Sequence, residues 1–150
     1  MTLQEIRQGI IQLLRSGTKV DYITGEDVSQ AKELPLIHVQ LEPMSYRTAA
    51  AGCHVEKEIL ADISYMEELT TSNKSIYAML EQLDGIFRPY FRIGDRAFTC
   101  DAQMGITDDI GHYMFTMSFK DMVSFEEPEA AEWLQVEWKG EKDGITGNKD

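Results

Sequence analysis

Several things are scarce in this chain. No stretch approaches the roughly 18–20 unbroken apolar residues that a membrane-spanning helix requires. The N-terminus lacks the charged-then-apolar layout of a secretory leader, so the expectation is a soluble protein made and used inside the cell, with no membrane partner. Basic residues are few, 14 against 26 acidic ones, for a net charge of −12. A surface of that sign repels phosphate backbones, which argues against sequence-independent or sequence-specific nucleic-acid binding. Cysteine is limited to Cys53 and Cys100. Each stands far from the other, so neither a zinc motif nor a redox pair is spelled out, and a cytosolic protein would keep both reduced. Signatures of reaction chemistry are missing as well. Nothing matches G-x-S-x-G, G-x-x-x-x-G-K or G-x-G-x-x-G.

What is present suits one compact domain. A length of 150 residues and a hydrophobic fraction of 43% supply one core and not two. Thr2-Leu3-Gln4-Glu5 has the form of a capping box. Leu3, Ile6, Ile10, Leu13 and Leu14 then recur at helical spacing up to Gly17, predicting a helix over 3–16. Residues 18–33 read as a loop or a short irregular strand. From Leu34 to Glu42 the pattern alternates, with Ile37, Val39 and Leu41 on one face and His38, Gln40 and Glu42 on the other. Pro43 is expected to end this strand, and Met44–Gly52 to form a projecting loop.

A second alternating run turns Val55, Ile59, Ala61, Ile63 and Tyr65 inward, with Lys57 as the exception. His54, Glu56, Glu58, Asp62 and Ser64 face outward. Thr70, Thr71 and Ser72 are N-cap candidates for a second helix, whose buried stripe is Ile76, Met79, Leu80, Leu83 and Phe87 and which Pro89 ends. Tyr90–Ile93, a Gly94-Asp95 turn and strand-like Arg96–Met104 follow. A turn at Thr107–Gly111 leads into Tyr113, Phe115, Met117 and Phe119. The predicted order is helix, two strands, helix, two or three strands. It implies an α+β domain over residues 1–125: an antiparallel or mixed sheet of four or five strands with both helices on one face. Residues 126–150 form an acidic tail carrying 3 basic and 8 acidic residues. Its tryptophans, Trp133 and Trp138, are expected to order only against something that packs on them.

Chemistry-bearing groups are thin. His38 and His54 could share the outer face near Glu56 and Glu58 and hold a metal, but no two ligands have the tight spacing of a zinc motif, so solvated strand histidines are the better account. Asp108-Asp109 suit a tight turn, and Glu56, Glu58 and Asp62 a solvated strand face, better than acid–base work. Cys53 and His54 are adjacent, which on a strand turns them to opposite faces and rules out a nucleophile–base pair. No enzyme, cofactor or metal is expected. One feature points elsewhere: the outer face also carries Leu36, Leu60, Met66, Met114 and Met122, and a contiguous exposed apolar patch marks an interface. The candidate contact residues are Met44, Tyr46, Arg47, Leu60, Met66, Met114, Trp133 and Trp138.

Local strings add a resemblance. The opening helix Leu3–Leu14, the strand closing in Leu41-Glu42-Pro43, and Asp62-Ile63-Ser64-Tyr65 followed by the helix with Tyr77, Leu80 and Leu83 carry part of it. Phe91-Arg92-Ile93-Gly94-Asp95-Arg96 and Ile106-Thr107-Asp108-Asp109-Ile110-Gly111-His112-Tyr113 carry the rest. Together, over about residues 1–125, the chain resembles the tail-terminator (tail-completion) proteins of phages and prophages of Gram-positive bacteria. That family often has a leucine-like residue before its His-aromatic pair, where Gly111 stands here. The resemblance implies a structural virion protein at the head-proximal end of the tail, present in the host cytoplasm during assembly. It would form a hexameric ring that caps the tail tube, ends its polymerisation, and meets the tail tube protein and the head–tail connector, with DNA only passing through. The alternative is a head-completion or connector adaptor subunit.

Overall fold

The computed structural model describes residues 1–25, 33–49, 52–68 and 73–122. It is an α+β fold. A first helix, α1 (Leu3–Gly17), precedes strands β1 (Tyr22–Thr24), β2 (Leu36–Ala49) and β3 (His54–Met66). Helix α2 (Lys74–Phe87) leads into β4 (Tyr90–Ile93), β5 (Arg96–Thr99), β6 (Gln103–Thr107) and β7 (Ile110–Met122). The main sheet has the order β1-β2-β3-β7-β6, and β4-β5 form a separate hairpin. β1 runs parallel to β2 and the other pairs are antiparallel, so the sheet is mixed.

The capping box at the start of α1 is formed. Thr2 Oγ1 accepts the Glu5 amide at 3.1 Å and Thr2 N donates to the Glu5 carboxylate at 2.6 Å. Hydrogen bonding from the Thr2 backbone, and then its side chain, to the Glu5 carboxylate holds that carboxyl below the usual range. Ile6, Ile10, Ile11 and Leu14 are buried, and each stabilises the fold by roughly 1.5–3 kcal/mol. They meet Ile37 and Val39 of β2, Ile59, Ala61, Ile63 and Tyr65 of β3, and Tyr113, Phe115 and Met117 of β7 in one core. Strand alternation puts those residues on a single face, and both helices contribute buried residues to the same core. Of the expected stripe of α2, Ile76, Leu80, Leu83 and Phe87 are buried, and Met79 is half-buried against the core. Its N-cap is Asn73, without a side-chain bond; the expected caps at 70–72 lie outside the described residues.

Three expectations are corrected. Pro43 does not end the strand, and Met44–Ala49 is not a loop. β2 continues to Ala49 in register with β3, from Ser45 opposite Glu58 to Ala49 opposite His54, after a shift between Pro43 and Ser45. Beyond His38 no paired strand covers the second edge of β2 among the described residues. Proline is tolerated on such an edge, and the bulge absorbs the misfit. Second, Arg96–Met104 is not one strand. Cys100 N donates to Pro89 O at 3.0 Å, which closes the β4-β5 hairpin, and Gln103 onward changes sheet to pair with β7. Third, the turn before β7 is tighter than expected. Only Asp108 and Asp109 separate β6 from β7, with φ of 51° and 61°, the left-handed pair that a two-residue hairpin demands and that aspartate tolerates.

Gly111 opens β7 beneath α2. A Cβ there would lie 2.7 Å from Ile76 Cγ2 and 3.4 Å from Leu80 Cδ2. The missing side chain lets helix and strand close up, and a leucine-like residue would push them apart. Replacing Gly111 with valine is expected to cost about 1–3 kcal/mol through overpacking, read as a lower urea midpoint at unchanged slope. An unchanged midpoint would show that α2 can lift away freely.

Candidate functional site

The outer face of the sheet, opposite the helices, collects the polar residues singled out above. His38, Ser64 and His112 lie side by side across β2, β3 and β7. His54 is on the same face but pairs with Ala49, ten residues along β3 from Ser64, or about 33 Å at strand rise. The two expected histidines therefore do not converge. Among the described residues no group of three or more His, Cys, Asp and Glu side chains is placed to hold a metal ion. The carboxylates are dispersed too. Glu56 and Glu58 face Lys120 and Ser118 far along β3, Asp62 faces Met114, and Asp108-Asp109 occupy the β6-β7 turn.

One cluster has the composition of a catalytic triad. His112 Nδ1 lies 3.1 Å from Asp62 Oδ1 and 3.2 Å from Ser64 Oγ, and Ser64 Oγ lies 3.4 Å from the same Asp62 oxygen. Both partners meet one ring nitrogen. A relay needs the acid on one nitrogen and the nucleophile on the other. The arrangement instead ties β3 to β7 and satisfies Ser64, which is buried and not solvent-facing as its parity suggested.

The apolar outer patch is interrupted. Leu36 is closed off, at 1% exposure, and lies beside Tyr22 and Met66 rather than on an open surface. Leu60 and Met114 are diagonal neighbours, half-buried, with Asp62 beside both. Met66 sits at the opposite end of the face from Met122, which is 78% exposed next to His54. Trp133 and Trp138 lie outside the described residues.

The remaining candidates sit together on a feature that local patterning did not reveal. Past Ile59 and Met117, the last fully buried residues of their strands, β2, β3 and β7 run on as a three-stranded blade. Met44 is 56% exposed, and Tyr46, 49% exposed, is in line with Lys57 and Phe119 on the helix side. On the outer side Glu56 holds Arg47 and Lys120, each at 3.3 Å, beside a groove of about 320 Å³. Such exposed pairs contribute little.

The blade is joined to the body through Asp121. Its carboxylate takes the Met1 amine at 2.9 Å, Lys57 Nζ at 3.0 Å and Arg96 Nη2 at 2.6 Å, and Arg96 also donates to Lys120 O at 2.8 Å. Lys57 lies 5.1 Å from the Tyr46 ring centre and Arg96 5.1 Å from that of Phe119. Burial disfavours the Asp121 charge. The hydrogen bonds and fields of the Met1 amine and Lys57 outweigh it and hold the carboxyl below the usual range. The sequence signal for this hub was Lys57, the one charged residue on an inward strand position.

The family described as phage tail terminator protein matches this chain over residues 5–129, running slightly past residue 125. Among curated proteins none matches.

Proposed function

The chain belongs to the phage tail terminator family, and on that premise we propose that it caps the tail tube as a ring, ends tail polymerisation and offers the head-joining surface. The role is structural, with no reaction and no cofactor. It places the protein at the head-proximal end of the virion tail, assembled from host cytoplasm, between the tail tube protein and the head–tail connector.

The observation that carries this reading is the family match, and the surface is in keeping with it. The polar groups of the outer face are spread along strands instead of gathered in a cleft. A closed ring needs two different patches that fit each other around an axis. The β2 edge of the blade, with Met44 and Arg47, and the β6 side, with Met104 exposed at the other edge, offer two such patches. The acidic balance of −12 suits a ring through which DNA slides, since like charges keep the duplex off the wall.

Deleting the gene from the phage is expected to give overlong tails in electron micrographs, and supplying the protein to restore normal length. Tails of normal length beside tail-less heads would move the role to a head-side adaptor and overturn the proposal.

A further inference from the structure

The helix-side face of the blade gathers cations in a molecule that is acidic as a whole, with Glu5 and Asp95 at its margin beside Met1 and Arg96. Three cations, the Met1 amine, Lys57 and Arg96, converge on the single carboxylate of Asp121. Beside them stand the exposed ring of Tyr46 and the half-covered ring of Phe119. A complementary occupant would bring acids and large apolar side chains together.

The chain carries such a segment in reach. Residues 126–138 hold Glu126, Glu127, Glu129, Glu132 and Glu137 with no basic residue, and within them Trp133, Leu134, Val136 and Trp138. β7 ends at Met122, opposite His54 at the blade tip. Tyr46 lies two strands across and three rungs back, about 14 Å away at ordinary sheet spacings. The eleven residues from Met122 to Trp133 can span up to about 36–40 Å. We propose that residues 126–138 of the same chain dock on this face, the tryptophans against Tyr46 and Phe119 and the glutamates toward Lys57 and Arg96. A tether this short holds the segment at an effective concentration on the order of millimolar, which favours the chain's own face over that of a second copy in dilute solution. The inference does not depend on the ring role.

The chain has two tryptophans, both in this segment, so its intrinsic tryptophan fluorescence reports on the segment alone. Full-length protein is expected to show blue-shifted emission, shielded from acrylamide and unchanged on dilution. Tyr46→Ser alters an exposed residue and should leave the far-ultraviolet circular dichroism intact. It is expected to move emission to the wavelength of free tryptophan and raise acrylamide quenching severalfold. Replacing Glu126, Glu127, Glu129 and Glu132 together by glutamine should do the same. Free-tryptophan emission in the unaltered protein would overturn the proposal, as would a blue shift that survives both variants. A blue shift lost on dilution would assign the segment to a neighbouring copy, and overturns it too.

Discussion

Truncating Phe87 to alanine is expected to cost about 3–5 kcal/mol, a large part of the ~5–15 kcal/mol by which a domain of this kind is stable. Phe87 is the last buried residue of α2, fully enclosed. Its ring centre is 5.1 Å from those of Phe91 and Phe115 and 5.9 Å from that of Tyr113. One side chain therefore joins the helix, the β4-β5 hairpin and the main sheet. Removing it loses the transfer free energy and leaves a cavity among rings that cannot collapse into it. Tyr113 beneath it also donates to Asp84 at 2.9 Å, so sheet and helix are locked on both sides of the gap. Urea unfolding followed by circular dichroism measures the loss. A cost under about 1 kcal/mol would mean that the cluster repacks, and that the α2 anchor lies elsewhere.

Asp121→Asn is the second large effect, and its pH dependence separates charge from packing. The variant keeps shape but leaves the Met1 amine, Lys57 and Arg96 facing one another without a counter-charge. Breaking a buried ion pair costs about 3–5 kcal/mol; with the Asp121 side chain 15% exposed and Arg96 at 35%, roughly 2 kcal/mol is expected at pH 7. Because the folded-state pKa of Asp121 lies below its unfolded value, the native protein binds the proton less readily than the unfolded chain. Its contribution is complete above the unfolded pKa of about 3.9 and is lost as pH falls through the lower folded value. The stability gap between native and variant should thus be flat from pH 7 to about 5 and close below pH 4. A gap of equal size at pH 3 and pH 7 would assign the effect to packing.

Much of this architecture was legible because it is periodic or local. The capping box, the apolar stripes of α1 and α2, and the alternation through β3 and β7 each follow from one element's need to bury one face. The turn at Asp108-Asp109 was legible in position but not in tightness, which its left-handed backbone angles set. Even Lys57 was visible as a misfit. What failed to read was partner choice. Pro43 reads as a strand terminator unless it is known that β1 stops short and leaves that edge of β2 open. Arg96–Met104 reads as one strand because nothing in its alternation says that β5 belongs to β4 and β6 to β7. Leu36 and Met122 share a strand parity, yet one is enclosed and the other exposed, since enclosure depends on what lies over each end of the sheet.

By itself, then, the order of residues determined both helices and the alternating cores of β2, β3 and β7, with the apolar side of each that faces inward, because those follow from spacing along the chain. It also supplied the resemblance to phage tail terminators, the part that the family match bears out. Only the tertiary structure decided that Lys57, Arg96 and the Met1 amine meet on Asp121, and that His38 and His54 stand far apart. Pairing and register join residues remote in sequence, and no local period encodes which distant strand a given edge will meet.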